Sequence, residues 1–180
     1  MKLASQFWKA VSFSKASLRG TEATRIQRLI RTERDKNLRS PEPTSVRVLL
    51  VEDNSADAEI LTEVLTYDTD VRFEVEWVER VSAGAERITR IPHIDIALVD
   101  LKLPDADGLE ALELIRGAAP RTPIFVMTGF EDDALAFEAK RRGADGFLVK
   151  GRLAGREIRS RIVDAVRDSL PILAPVPAAR

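Results

Sequence analysis

The chain has 180 residues, 44% of them hydrophobic and 32% charged, with one histidine and no cysteine. That length supports one ordinary core with some chain to spare, and the missing thiols exclude disulfide frameworks, thiolate metal sites and cysteine nucleophiles. The net charge of -1 conceals a polarity, because Met1 to Ser45 carries ten Lys/Arg against four Asp/Glu while the remainder carries eighteen against twenty-five.

No apolar run approaches the roughly 18 residues of a spanning helix, and the N-terminus lacks the uninterrupted apolar stretch of a signal peptide. A cytoplasmic protein is expected. In the basic head, Leu3, Phe7, Trp8 and Val11 can share one helical face beside Lys2, Lys9 and Lys15, which predicts a short amphipathic helix. A second candidate helix, Thr21 to Leu38, carries only a narrow stripe of Ile26, Leu29 and Ile30. Solvated or disordered chain is the competing reading for both. Contacts with a partner protein or a second copy come next, then a membrane surface, then nucleic acid.

Pro41 and Pro43 end any preceding helix, so residues 1–45 read as a basic extension and linker, 46–170 as the domain, and 171–180 as a tail rich in Pro and Ala. Val46 to Val51 is a short apolar, β-branched run of the kind buried on both faces of a parallel sheet. It stops at two carboxylates. Ser55 to Tyr67 follows with Ile60, Leu61, Val64 and Leu65 at helical spacing, capped by Asn54 or Ser55 and with acids in its first turn. Val71 to Val78 alternates as a strand with one less buried face, and Ser82 to Arg90 reads as a helix.

The alternation continues with strand Ile94 to Val99, helix Gly108 to Arg116, strand Pro123 to Thr128, helix Asp132 to Arg142, strand Gly146 to Val149 and helix Gly155 to Leu170. In that last helix Ile158, Ile162, Ala165, Val166 and Leu170 form the apolar stripe, leaving Arg156, Arg159, Asp164 and Arg167 for water. Five βα pairs imply an α/β protein with right-handed crossovers. The expected architecture is flavodoxin-like: a doubly wound, five-stranded parallel sheet in the order 2-1-3-4-5, with five helices.

Ligands of such folds bind beyond the carboxyl ends of the strands. There the sequence sets Glu52 and Asp53 after the first strand, Asp100 after the third, Thr128 at the fourth and Lys150 at the fifth. Three converging carboxylates repel one another unless one is protonated or a hard cation is bound through oxygen, and Mg2+ suits that donor set.

These residues resemble the receiver domains of response regulators in bacterial two-component phosphorelay signalling, over about Val46 to Leu170. The resemblance rests on V-L-L-V-E-D-N, L-V-D-L-K-L-P-D-A-D-G-L-E, F-V-M-T-G and G-A-D-G-F-L-V-K, in that order and spacing. It implies that Asp100 is the phosphoacceptor and that Glu52, Asp53, Asp100 and the backbone carbonyl of Lys102 hold Mg2+. It also implies that Thr128 and Lys150 bind the phosphoryl group, and that Phe147 moves with Thr128 as a switch. Read alone, Phe147 is better explained as a core aromatic than as a moving switch.

A sensor histidine kinase or histidine phosphotransfer protein would be the donor and a downstream protein the target. A dimer through the fourth helix, fifth strand and fifth helix is a further expectation. The chain would be a signalling switch, not an enzyme beyond its own phosphorylation and dephosphorylation. No nucleic-acid output is expected. The contrasting reading is a phosphorylation-independent adaptor whose basic extension touches a partner, a membrane surface or nucleic acid.

One departure stands out. Receivers usually have Lys-Pro with a cis bond after the fifth strand, whereas this chain has Lys150-Gly151, for which a trans bond is expected because cis costs about 2.5 to 4 kcal/mol before a non-proline residue. Asp105-Ala106-Asp107 resembles the paired acids of aspartate-based phosphatases, but Pro104 and Gly108 around it favour a turn and a helix N-cap. His93 reads as a loop residue.

Overall fold

The computed structural model describes residues 8–11, 43–67, 70–90, 93–152 and 154–170. In chain order the elements are β1 (Trp8–Val11), β2 (Ser45–Val51), α1 (Ser55–Thr66), β3 (Arg72–Val78), α2 (Val81–Arg90) and β4 (Ile96–Asp100). They continue with the short β5 (Lys102–Leu103) and β6 (Ala106–Asp107), α3 (Glu110–Ala118), β7 (Ile124–Thr128), α4 (Asp133–Arg141), β8 (Gly146–Lys150) and α5 (Gly155–Ser169).

The sheet runs β1-β8-β7-β4-β2-β3, with every pair parallel except β1 against β8. Without β1, this is the 2-1-3-4-5 order of a doubly wound fold. The two-residue period of the strands divides the core between the two faces. Leu49, Val51, Val99, Val126 and Phe147 pack under α2, α3 and α4 with Val81, Leu112, Ile115 and Ala139. Val48, Leu50, Leu98, Met127 and Leu148 pack under α1 and α5 with Leu61, Leu65, Ile158 and Ile162. β4 and β7 are buried along their whole length, because helices cover both faces of a parallel sheet.

Helix starts follow local chemistry. Asn54 caps α1 by accepting from the N–H groups of Ala56 and Asp57, and Asp132 caps α4 by accepting from Leu135, each satisfying donors that the first turn leaves open.

The structure corrects three expectations. Trp8–Val11 is a strand, antiparallel on β8, where helical spacing predicted a helix. An exposed sheet edge can pair with any extended backbone, whatever that segment's helical periodicity. Residues 1–7 and the candidate helix Thr21 to Leu38 lie outside the described residues. Arg167, expected to face water, is buried and pairs with Asp164; a long side chain can bury its aliphatic part while its charged head finds a partner.

The third correction concerns the acidic turn. Asp105 caps α2, not the helix that follows it: its carboxylate accepts from the N–H groups of Val81 and Ser82 at 3.0 Å and from the Ser82 hydroxyl at 2.7 Å. These bonds outweigh the opposing effect of partial burial and hold its pKa below the usual aspartate value. Asp107 pairs across the small hairpin with Lys102, and α3 begins at Glu110 after an N-cap position, Leu109, that offers no side-chain acceptor.

Candidate phosphoacceptor site

The site forms where β2, β4, β7 and β8 end together. β2 delivers Glu52, whose N–H donates to the Val78 carbonyl at 3.0 Å and whose own carbonyl accepts from Trp77 Nε1 at 2.8 Å. These two bonds lock the backbone against β3. They turn the Glu52 side chain into the protein, where it is 1% exposed, while Asp53 next to it remains exposed.

β4 delivers Asp100 as its last residue, buried like the strand behind it. Asp100 lies level with Met127 of β7, which places Thr128 one residue further along. The Lys102 N–H donates to Asp100 Oδ1 at 2.8 Å. Carboxylate oxygens of Glu52, Asp53 and Asp100 lie within 4.8 Å of one another. Oxygen donors of this charge and proximity fit a hard divalent cation such as Mg2+.

β8 delivers Lys150. Its ammonium donates to Glu52 Oε2 at 2.5 Å, to Asp57 Oδ2 at 3.0 Å and to Asp100 Oδ2, so all three N–H donors of the lysine meet carboxylates. Burial opposes the charged ammonium, but the bonds to Asp100, Glu52 and Asp57 outweigh it and raise the Lys150 pKa above the usual lysine value. Glu52 moves up as well, to about 7, because burial and the nearby Asp100 charge overcome the help of Lys150. The pocket therefore holds more negative charge than one ammonium can neutralise.

Thr128 is buried at the end of β7, and its hydroxyl accepts from the Phe130 N–H at 3.4 Å. Phe147 is buried on β8, level with Val126. The Lys102 ammonium stands 5.7 Å from the centre of the exposed Phe130 ring, a cation–π distance. No peptide bond among the described residues is cis, and Gly151 takes φ +95°. That left-handed geometry is open to glycine and closed to proline, so the chain leaves β8 by a different turn from the one a Lys-Pro pair would impose.

The structure thus brings Glu52, Asp53, Asp100, Thr128 and Lys150 to one end of the sheet, with Lys102 at its rim and Phe147 within the β8 core. Asp57 went unnoticed in the sequence, where it passes for an ordinary acid of a first helical turn. The signal was its place in the first turn of a helix that starts two residues after Asp53.

Residues 48–163 match the model of the response regulator receiver domain. The chain belongs to that family. It is 29% identical over 106 residues to the transcriptional regulatory protein LnrK of Bacillus subtilis, a stretch covering 58% of this chain and 48% of LnrK. It therefore spans about half the length of that relative. In three dimensions it is similar to a CheY-like response regulator receiver domain protein from Methanospirillum hungatei, with TM-score 0.59 and 24% identity over 69% of this chain and 95% of that one. It is also similar to a chain in the CheX-CheY-BeF3-Mg+2 complex from Borrelia burgdorferi, with TM-score 0.58 and 21% identity over 66% of this chain and 87% of that one. Both likenesses concern the fold. Among the described residues, no helix is long and apolar enough to cross a membrane.

Proposed function

We propose that this protein is a phosphorylation switch in which Asp100 accepts a phosphoryl group from a phosphohistidine on a sensor kinase or a histidine phosphotransfer protein. The observation that carries this reading is the position of Asp100: a buried carboxylate at the end of a central strand, beside an acidic cluster and paired to Lys150.

A carboxylate is a weak nucleophile towards phosphorus unless positive charge stabilises the oxygens of the group in flight. Glu52, Asp53, Asp100 and the Lys102 carbonyl would hold Mg2+, which supplies that charge when bound. In the transfer, an Asp100 oxygen forms the new bond to phosphorus while the donor's P–N bond breaks, and the freed imidazole takes up a proton. Lys150 neutralises the phosphoryl oxygens, and Thr128 donates its hydroxyl to them.

The attached group brings about -1.5 to -2 charges. It draws Thr128 towards Asp100, which gives Phe147 room to shift and alters the surface formed by α4, β8 and α5. That surface would meet the downstream protein or a second copy. The chain acts as a switch in the cytoplasm, and its chemistry is confined to its own phosphorylation and dephosphorylation.

The test is labelling of the purified chain by acetyl phosphate, read on phosphate-affinity gels. Mg2+-dependent labelling that Asp100→Asn abolishes is the expected result. Absence of labelling, together with absence of beryllofluoride binding, would overturn the proposal in favour of a phosphorylation-independent adaptor.

A further inference from the structure

We infer that Asp57 is a positioning residue, one that holds the Lys150 ammonium over Asp100 both before and after the phosphoryl group arrives. This rests on the switch reading above and concerns a residue that reading leaves idle.

The argument starts from the three acceptors of Lys150. In the state described here they are Glu52, Asp57 and Asp100. Two of them change character in the proposed reaction: Glu52 belongs to the cluster suited to a cation, and Asp100 becomes an acyl phosphate. Asp57 lies outside that cluster. It is the acceptor whose charge and partner can stay the same throughout.

Its platform is firm. The Asp57 N–H is tied to the Asn54 cap at 3.4 Å, and α1 is anchored by the buried Ala58, Leu61 and Leu65. The lysine's backbone closes β8 opposite Trp8 of β1, and Gly151 follows at φ +95°, but neither fixes the course of its side chain. A four-carbon side chain at such a position has many rotamers to lose. A fixed carboxylate 3.0 Å from Nζ selects among them and directs the remaining N–H groups towards Asp100.

A first-turn acid also favours its helix through the macrodipole alone, so the test must separate the two roles. Phosphorylation rates at saturating Mg2+ are compared for Asp57→Asn in the wild-type chain and in a Lys150→Met background. If Asp57 acts through Lys150, Asp57→Asn slows the wild type about tenfold and the Lys150→Met chain less than about twofold, the signature of contacting residues. Asp57→Glu recovers most of the rate. Equal losses in both backgrounds, or none in either, overturn the inference.

A second readout needs neither metal nor phosphodonor. In chelator, nitrogen-15 NMR of the Lys150 ammonium should give a slowly exchanging signal that Asp57→Asn abolishes while the backbone spectrum keeps its dispersion. A signal unchanged by Asp57→Asn overturns the inference. Should the wild type never label, loss of this signal leaves the tether standing and rejects the switch alone.

Discussion

Lys150 and Glu52, 98 residues apart in the chain, meet at 2.5 Å in the floor of the pocket. The contact is the cross-brace between the first and last strands of the parallel core, and it leaves Glu52 with a pKa of about 7 in place of the ordinary 4.5.

That shift predicts how the metal-free chain responds to pH. A carboxyl whose pKa is raised on folding binds its proton more tightly in the native state, so its contribution to stability is full below about 4.5 and is lost as pH rises through about 7. Urea denaturation in chelator should therefore show stability falling between pH 5 and pH 8. Glu52→Gln, which cannot ionise, should flatten that slope.

Divalent cation should reverse the trend. On the proposed reading Mg2+ would bind the ionised cluster of the native state only, and so stabilise by mass action, about 1.4 kcal/mol for each tenfold excess over Kd. At pH 8, 10 mM Mg2+ should raise the melting temperature by about 3 to 6 °C at one such tenfold excess. Asp100→Asn or Asp53→Asn should remove most of that rise. An equal rise in both variants would mean that the cation acts elsewhere.

Asp105→Ala tests the cap that reaches α2 from 24 residues away. Loss of an N-terminal acceptor costs about 1 to 2 kcal/mol. Because the Asp105 pKa is lowered in the folded chain, its stabilisation is full above the ordinary value of 3.8 and fades as pH falls through the folded value. The difference between wild type and variant should therefore shrink in acid. A difference that stays constant down to pH 2 would refute the assignment.

Why the parallel core was legible in the sequence and other parts were not follows from the range of the forces involved. Strands such as Ile96–Asp100 and Ile124–Thr128 are apolar throughout because both faces are covered, and the composition of such runs shows it directly. Strand ends carrying Glu52, Asp100, Thr128 and Lys150 were visible because polar residues terminating an apolar run need a reason. Asp57, Asp105 and Arg167 could not be read that way. Each is an ordinary polar residue on a helix or turn, and its partner is set by tertiary packing. β1 was misread for a related reason: its conformation is decided by the open edge of β8, which no local pattern reports.

That edge gives a further prediction. β1 pairs with Phe147–Lys150, covering backbone groups that an edge strand would otherwise present to another chain. Replacing both Lys9 and Ala10 by Pro removes two N–H donors and should release the pairing. Hydrogen exchange across β8 should then quicken while β4 and β7 stay protected, and any dimer formed along this edge should become stronger. Unchanged exchange in β8 would show that the pairing contributes nothing to its protection.

Arg116 separates stability from function. Its guanidinium donates to the carbonyls of Ala119, Pro120, Thr122 and Gly143 and to the Asp145 carboxylate, fastening the turns that enter β7 and β8. Asp145 in turn accepts from the Ile124 N–H at 2.9 Å. Those turns lie at the strand starts, the opposite end of the sheet from Asp100. Arg116→Ala should cost about 2 to 4 kcal/mol, since several half-buried carbonyls lose a charged donor together. Arg116→Lys should recover only part of that, because an ammonium cannot reproduce the planar fork. In both variants Mg2+ affinity should stay within about twofold of wild type, since distant sites without shared partners act nearly independently. A larger change would mean that the strand starts and strand ends are mechanically coupled, through β7 or β8 themselves.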